Sequence, residues 1–114
     1  MPGTDTRCQT AIAGIGYSKV SREPDQTLGQ DAVEACQQAI SDAGLSPNDI
    51  DGICTADVQP YANAGHQDGI DFVSPSYIIP ALSLTDIRWS HRDQGFLASS
   101  FSSASESVAA GQCT

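Results

Sequence analysis

The apolar positions of this chain fall into short runs separated by polar, glycine-rich stretches. Residues 10–16, TAIAGIG, are apolar with polar flanks and predict a buried strand whose largest side chains are Ile12 and Ile15. Residues 18–26 are polar and contain Pro24, a loop. From Thr27 to Ala43 the apolar residues Leu28, Ala32, Cys36, Ala39, Ile40 and Ala43 recur in helical steps. Asp25 or Thr27 can cap that helix, Gly44 supplies a left-handed stop, and Leu45 can pack back on the last turn. Ser46-Pro47-Asn48-Asp49 repeats the start signal for about one more turn. Residues 51–56 are a second, weaker strand candidate.

Strand, helix and strand with short connections favour a parallel βαβ unit and an α/β fold. Residues 57–74 are rich in Gly, Asn, Asp and Gln without periodicity, a long loop of the kind that carries function or a partner. Residues 75–84 predict a short helix interrupted at Pro80, and residues 87–91 alternate like a third strand. In the closing segment Leu97, Phe101, Ala104 and Val108 share one helical face. The remaining faces carry Ser and Ala, with Glu106 the one charge. Serine is a middling helix former, so this pattern predicts a helix enclosed by close neighbours on every side.

Composition narrows the partners. Five basic residues stand against fourteen acidic ones, a net charge of −9, which opposes nucleic acid and anionic membrane surfaces alike. No apolar run approaches the length of a membrane span and no signal segment opens the chain. The four cysteines, Cys8, Cys36, Cys54 and Cys113, lie far apart, with no zinc spacing. Reduced thiols and a cytoplasmic location are the expectation.

Candidate chemistry is sparse. Gly14-Ile15-Gly16-Tyr17-Ser18-Lys19 begins like a dinucleotide fingerprint, but Lys19 replaces the third glycine and Pro24 delays the helix. Strand-exit glycines are the better reading. Tyr61, His66 and Asp68 share the polar loop, yet nothing in their spacing makes three ligands converge, so no metal site is expected. His91, beside Arg92 and Asp93, lies between a strand and a helix, where α/β proteins place chemistry; a hydrogen-bonded surface histidine is the plainer reading. Ser99, Ser100, Ser102 and Ser103 lack a nucleophile elbow and read as packing residues. Cys36, on the apolar helix face, reads as a small buried group.

Residues 11–16, AIAGIG, followed by residues 31–45, DAVEACQQAISDAGL, and then SPNDIDG at 46–52 resemble the start of a thiolase-family protein, especially the lipid-transfer branch related to the thiolase part of sterol carrier protein. The ending VAAGQCT resembles the close of that family's central buried helix. The resemblance implies a partial N-terminal half-domain, residues 1–114, of the five-layered αβαβα fold, so the chain is expected to be one part of a longer protein. It implies acyl-CoA chemistry, by an acyltransferase or a carbon–carbon bond lyase, with a coenzyme A thioester as substrate and no separate cofactor. The family's nucleophilic cysteine would fall near Gln94-Gly95-Phe96, where this chain has none. Cys113 lies beyond the helix and is no substitute. Relatives without that cysteine include lipid-transfer proteins and retro-aldolases on coenzyme A thioesters of steroid side chains.

These expectations assign no catalytic residue to the chain and place Gly95 and Phe96 at most along the acyl pocket. The intact parent would take an acyl-CoA or lipid ligand and act as a homodimer or with a partner subunit. A non-catalytic lipid-binding or assembly subunit is the alternative. A small α/β domain complete in itself would leave the Ser/Ala helix without its enclosing layers.

Overall fold

The computed structural model describes residues 9–23, 25–56, 67–93 and 97–114. Helix α1 (Leu28–Asp42) forms where its local signals agree. Thr27 Oγ1 accepts the Gln30 N–H at 3.2 Å, and Gln30 Oε1 accepts the Thr27 N–H at 2.8 Å, a reciprocal capping box. At the far end Gly44 takes φ +71°. Its N–H donates to the Ser41 carbonyl and the Leu45 N–H to the Ile40 carbonyl, each at 3.0 Å, which closes a Schellman turn. The backbone thus folds back as expected, while the Leu45 side chain stays half exposed. A 3-10 turn (Pro47–Asp49) follows, its start held by Asp49 Oδ2, which accepts the Ser46 N–H at 2.9 Å.

The sheet is parallel and two-stranded: β1 (Gly52–Ala56) beside β2 (Trp89–Asp93). Between them lies α2 (Pro75–Ala81), so a βαβ unit is present but sits one element later than the sequence suggested. Gly52 pairs with Trp89 and Ala56 with Asp93. The Asp51 carbonyl accepts the Arg88 and Trp89 N–H groups at 2.7 and 3.1 Å, which sets this register and moves the strand two residues beyond the apolar alternation.

The expected strand at residues 10–16 is not formed. The segment has no regular hydrogen-bonded partner, and Ile12 and Ile15 are 66% and 56% exposed. It is held against α1 instead. A Cβ on Gly14 would stand 2.3 Å from the Ala39 carbonyl oxygen, and one on Gly16 would stand 2.0 Å from that of Ala35. The Ile15 N–H donates to Asp42 Oδ2 at 2.9 Å and the Tyr17 N–H to Gln38 Oε1 at 3.2 Å. These two glycines therefore serve backbone contact with a helix, neither a strand exit nor a phosphate.

One face of the sheet packs on α2, which packs in turn on α1. Ile78, Leu82 and Leu84 are buried there, with Ala32, Val33, Cys36, Ile40, Ile53 and Ile87 against them. Asp68 prepares the start of α2: its carboxylate accepts the Ser74 N–H at 2.9 Å and also the Ser74 hydroxyl. Pro80 lies inside α2, one residue before its end, so it forgoes one ladder hydrogen bond and the helix stops at Ala81. The chain leaves through Ser83 at φ +55°.

On the other face lies α3 (Leu97–Ala109). Within the described residues the sheet covers one side of this helix. Serine faces the sheet: Ser107 is buried and Ser103 half-buried, while Phe101 is 58% exposed. Small side chains let the helix approach closely, and a buried carboxylate at the end of β2 receives its serines. Phe101, Ala104 and Val108 instead line a groove of about 260 Å³ with residues 10–12, where the Thr10 and Ser105 hydroxyls pair at 3.0 Å. Beyond Gly111, at φ +76°, Thr114 donates through its N–H and its hydroxyl to the Asp51 carboxylate, both at 2.9 Å.

Candidate functional site

A parallel sheet directs its strand carboxyl ends toward one edge, which is where open α/β proteins bind ligands. At that edge lies a cavity of about 480 Å³, within the range of small-molecule sites. Leu28, Ala32 and Cys36 of α1 form one side and residues 53–56 of β1 another. Phe72, Val73 and Ile78 close it, and Ser100 of α3 reaches it. The lining is predominantly apolar. Asp71 is its carboxylate among the described residues, and Asp71 Oδ2 accepts the Gln67 N–H at 2.8 Å.

Two thiols, Cys36 and Cys54, belong to this wall. Burial pushes the Cys36 thiol up from its ordinary value. Burial also raises Cys54, and the negative charge of Asp93 adds to it. Both thiols are thus held protonated and poorly nucleophilic. Cys113 sits at the opposite end of the sheet, where a Cβ on Gly52 would meet its Sγ at 2.7 Å. Burial and Asp51 raise its thiol, Arg88 opposing. Cys36, Cys54 and Cys113 are all unpaired.

Next to the cavity, Asp93 is the hub of the β2–α3 junction. It is buried, and one oxygen, Oδ2, accepts both the Ser99 hydroxyl at 2.9 Å and the Ser103 hydroxyl at 3.2 Å. His91 Nε2 lies 3.9 Å from the same oxygen, with its ring stacked on Trp89 at 6.0 Å between centroids. Of the serines read as packing residues, Ser99 and Ser103 therefore also donate to a carboxylate. Arg92 projects to the other face of the sheet, its guanidinium 4.4 Å over the Phe72 ring.

Gly95 and Phe96, the residues expected along an acyl pocket, lie outside the described residues, as do Tyr61 and His66. Asp68 accepts the backbone N–H of Ser74 at the start of α2. Among the described residues no group of three His, Cys, Asp or Glu side chains is placed to hold a metal, and no helix is long and apolar enough to cross a membrane. Sequence reasoning missed Phe72 and Arg92, which lie far apart in the chain and share no local pattern. The signal available was a scarce cation near the end of a strand.

No protein-family model matches the chain. It is 42% identical over 62 residues to the steroid side-chain-cleaving aldolase of Thermomonospora curvata, a match spanning 53% of this chain and 16% of that protein. It is 45% identical over 47 residues to the 17-hydroxy-3-oxo-4-pregnene-20-carboxyl-CoA lyase of Mycobacterium tuberculosis, 41% of this chain and 12% of the lyase. Its fold matches a solved chain of the Ltp2-ChsH2(DUF35) aldolase with a TM-score of 0.71 and 26% identity, covering 90% of this chain and 25% of that one. The chain thus spans a small part of the length of the proteins it resembles, and that part is an α/β fold shared with an aldolase.

Proposed function

We propose that this chain is the N-terminal part of a thiolase-like protein, of the lipid-transfer branch, that handles acyl-CoA thioesters and cleaves a carbon–carbon bond in them. The observation that carries the reading is the apolar cavity of about 480 Å³ at the carboxyl edge of the parallel sheet, in a chain similar to two carbon–carbon-cleaving proteins. The cavity takes the apolar acyl portion. Gly95 and Phe96 are proposed as acyl-binding residues on the family resemblance alone. The reaction is a retro-aldol cleavage. A base takes the proton of a hydroxyl on the β carbon, and the carbonyl forms there as the Cα–Cβ bond breaks. That bond's electron pair passes into the thioester as an enolate, which then takes a proton at Cα. This chain contributes binding surface and the Asp93-anchored start of α3, and the acid and base come from elsewhere in the protein.

The outward face of Phe101 and Val108 fits a helix that further layers cover in the five-layered fold. The solved neighbour is named as a two-component aldolase, and a partner subunit or a second copy is proposed here as well, in the cytoplasm. The absence of a cysteine at residues 94–96 fits a second reading as well, a non-catalytic lipid-binding or assembly subunit. The full protein, incubated with a coenzyme A thioester bearing a tertiary β-hydroxyl, separates the two. Release of a ketone and a shortened acyl-CoA, followed by mass spectrometry, supports the lyase. Binding without turnover supports the second reading, and neither binding nor turnover overturns both.

A further inference from the structure

The wall of the cavity at the carboxyl edge of the sheet is apolar but for a few groups, and one of these has no partner. Thr55 is a wall residue. It shares a face of β1 with Ile53, which packs on the core. Among the described residues, Thr55 Oγ1 is the buried side-chain atom that lacks a hydrogen bond. The carboxylate of the wall, Asp71, is by contrast engaged, accepting the Gln67 N–H. A buried hydroxyl left unpaired costs free energy, which valine, of the same shape and equally suited to a strand, would avoid. Native folds rarely carry such a group without a use for it.

Resting on the acyl-CoA reading above, we infer that the Thr55 hydroxyl recognises an oxygen carried by the acyl portion of the ligand. The substrate class is then an oxygenated acyl group, not a plain hydrocarbon chain. A hydrocarbon in the cavity would keep the hydroxyl from water and give it nothing in return, whereas a hydroxyl or ketone supplies the missing hydrogen bond. Oγ1 is covered by the atoms around it. Rotation about χ1 exchanges it with the methyl group or the hydrogen on the same carbon. Because the hydroxyl is unbonded, no hydrogen bond breaks when it turns, and the strand, fixed by its pairing with β2, need not move. Two places on the ligand offer such an oxygen: the β carbon, where the hydroxyl of a cleaved substrate stands, and a carbon further from the thioester. To Thr55 the two present the same chemistry.

Equilibrium binding to the full protein tests this with three acyl-CoA probes of one chain length: unsubstituted, with a ketone at the β carbon, and with a ketone further along. None carries the β-hydroxyl from which retro-aldol cleavage starts. The wild type should bind at least one ketone probe about three- to tenfold tighter than the unsubstituted one, the range of a neutral hydrogen bond. Which ketone it prefers locates the oxygen. Thr55→Val should remove that preference and bind the unsubstituted probe at least as tightly, while Thr55→Ser should keep part of it. The urea midpoint of ligand-free Thr55→Val should equal or exceed that of the wild type, since no bond is lost. A lower midpoint would show the hydroxyl already bonded within the full protein and overturn the inference. Equal binding of all three probes by the wild type, or a preference that survives in Thr55→Val, also overturns it while the acyl-CoA reading stands. Failure of the wild type to bind any of the three removes the acyl-CoA reading itself, and the inference with it.

Discussion

Replacing Gly16 with alanine tests how residues 10–17 are held. The new Cβ would stand 2.0 Å from the Ala35 carbonyl oxygen and 2.6 Å from the Ala39 nitrogen, where contacts below 3.0 Å are essentially never seen. Both atoms belong to the backbone of α1 and cannot swing aside, so the segment must lift by about 1 Å. Lifting strains the Tyr17 N–H bond to Gln38 and the Ile15 N–H bond to Asp42. Overpacking costs about 1–3 kcal/mol, and each weakened hydrogen bond up to about 1 kcal/mol. A less flexible unfolded chain returns about 0.4–1 kcal/mol. The net loss is about 2 kcal/mol, limited by the free energy of docking, because the segment can detach. Gly44→Ala is the control: no atom lies within 4 Å of its Cβ, but φ is +71°, so the expected cost is about 1 kcal/mol. Urea midpoints give both values, and hydrogen exchange reads the Ile15 and Tyr17 amides. Gly16→Ala should expose those two amides and Gly44→Ala should not. Equal costs with unchanged protection would refute close backbone contact as the role of Gly16.

Ile40→Asp should destabilise by about 3 kcal/mol or more, since Ile40 packs on the core, while Gln37→Asp on the exposed face should shift the urea midpoint little. Ser83→Gly should raise stability by about 0.5–1 kcal/mol, by relieving φ +55° at the end of α2. The Asp51 carboxyl is held below its usual range, most by the Thr114 N–H; partial burial opposes this, and the Thr114 hydroxyl and Arg88 add to it. Its contribution to stability is therefore present above the unfolded carboxyl pKa, about 4, and lost as pH falls through the lower folded value. Asp51→Asn should flatten the acid limb of the stability–pH curve. With Cys36, Cys54 and Cys113 all raised, these three thiols, mapped by mass spectrometry, should react with iodoacetamide at pH 8 far more slowly in the native protein than in urea.

Helix α1 was legible because its determinants are local: Thr27 and Gln30 close the cap, and Gly44 reverses the chain within two residues. The turn at Ser46–Asp49 and strand β1 were legible for the same reason. The sheet partner was not. TAIAGIG has the composition of a buried strand, but its glycines serve contact with α1, and the pairing of β1 with β2 depends on Asp51 receiving amides from far along the chain. The facing of α3 also escaped the apolar pattern, because the carboxylate of Asp93 draws serines inward and leaves Phe101 outside. Of the cavity, Cys36 was anticipated as a buried group. Phe72, Cys54 and Arg92 meet only through the tertiary fold.

The cavity at the carboxyl edge of the sheet is proposed to hold the acyl portion of a coenzyme A thioester. Photo-crosslinking of the full protein with an acyl-CoA carrying a diazirine in its acyl chain tests it most directly, with the adducts mapped by mass spectrometry. Residues 53–56 and 72–78 should be labelled, and excess unlabelled acyl-CoA should suppress that labelling. Saturable labelling confined to residues outside the cavity, with none on Ile53, Phe72 or Ile78, would contradict it.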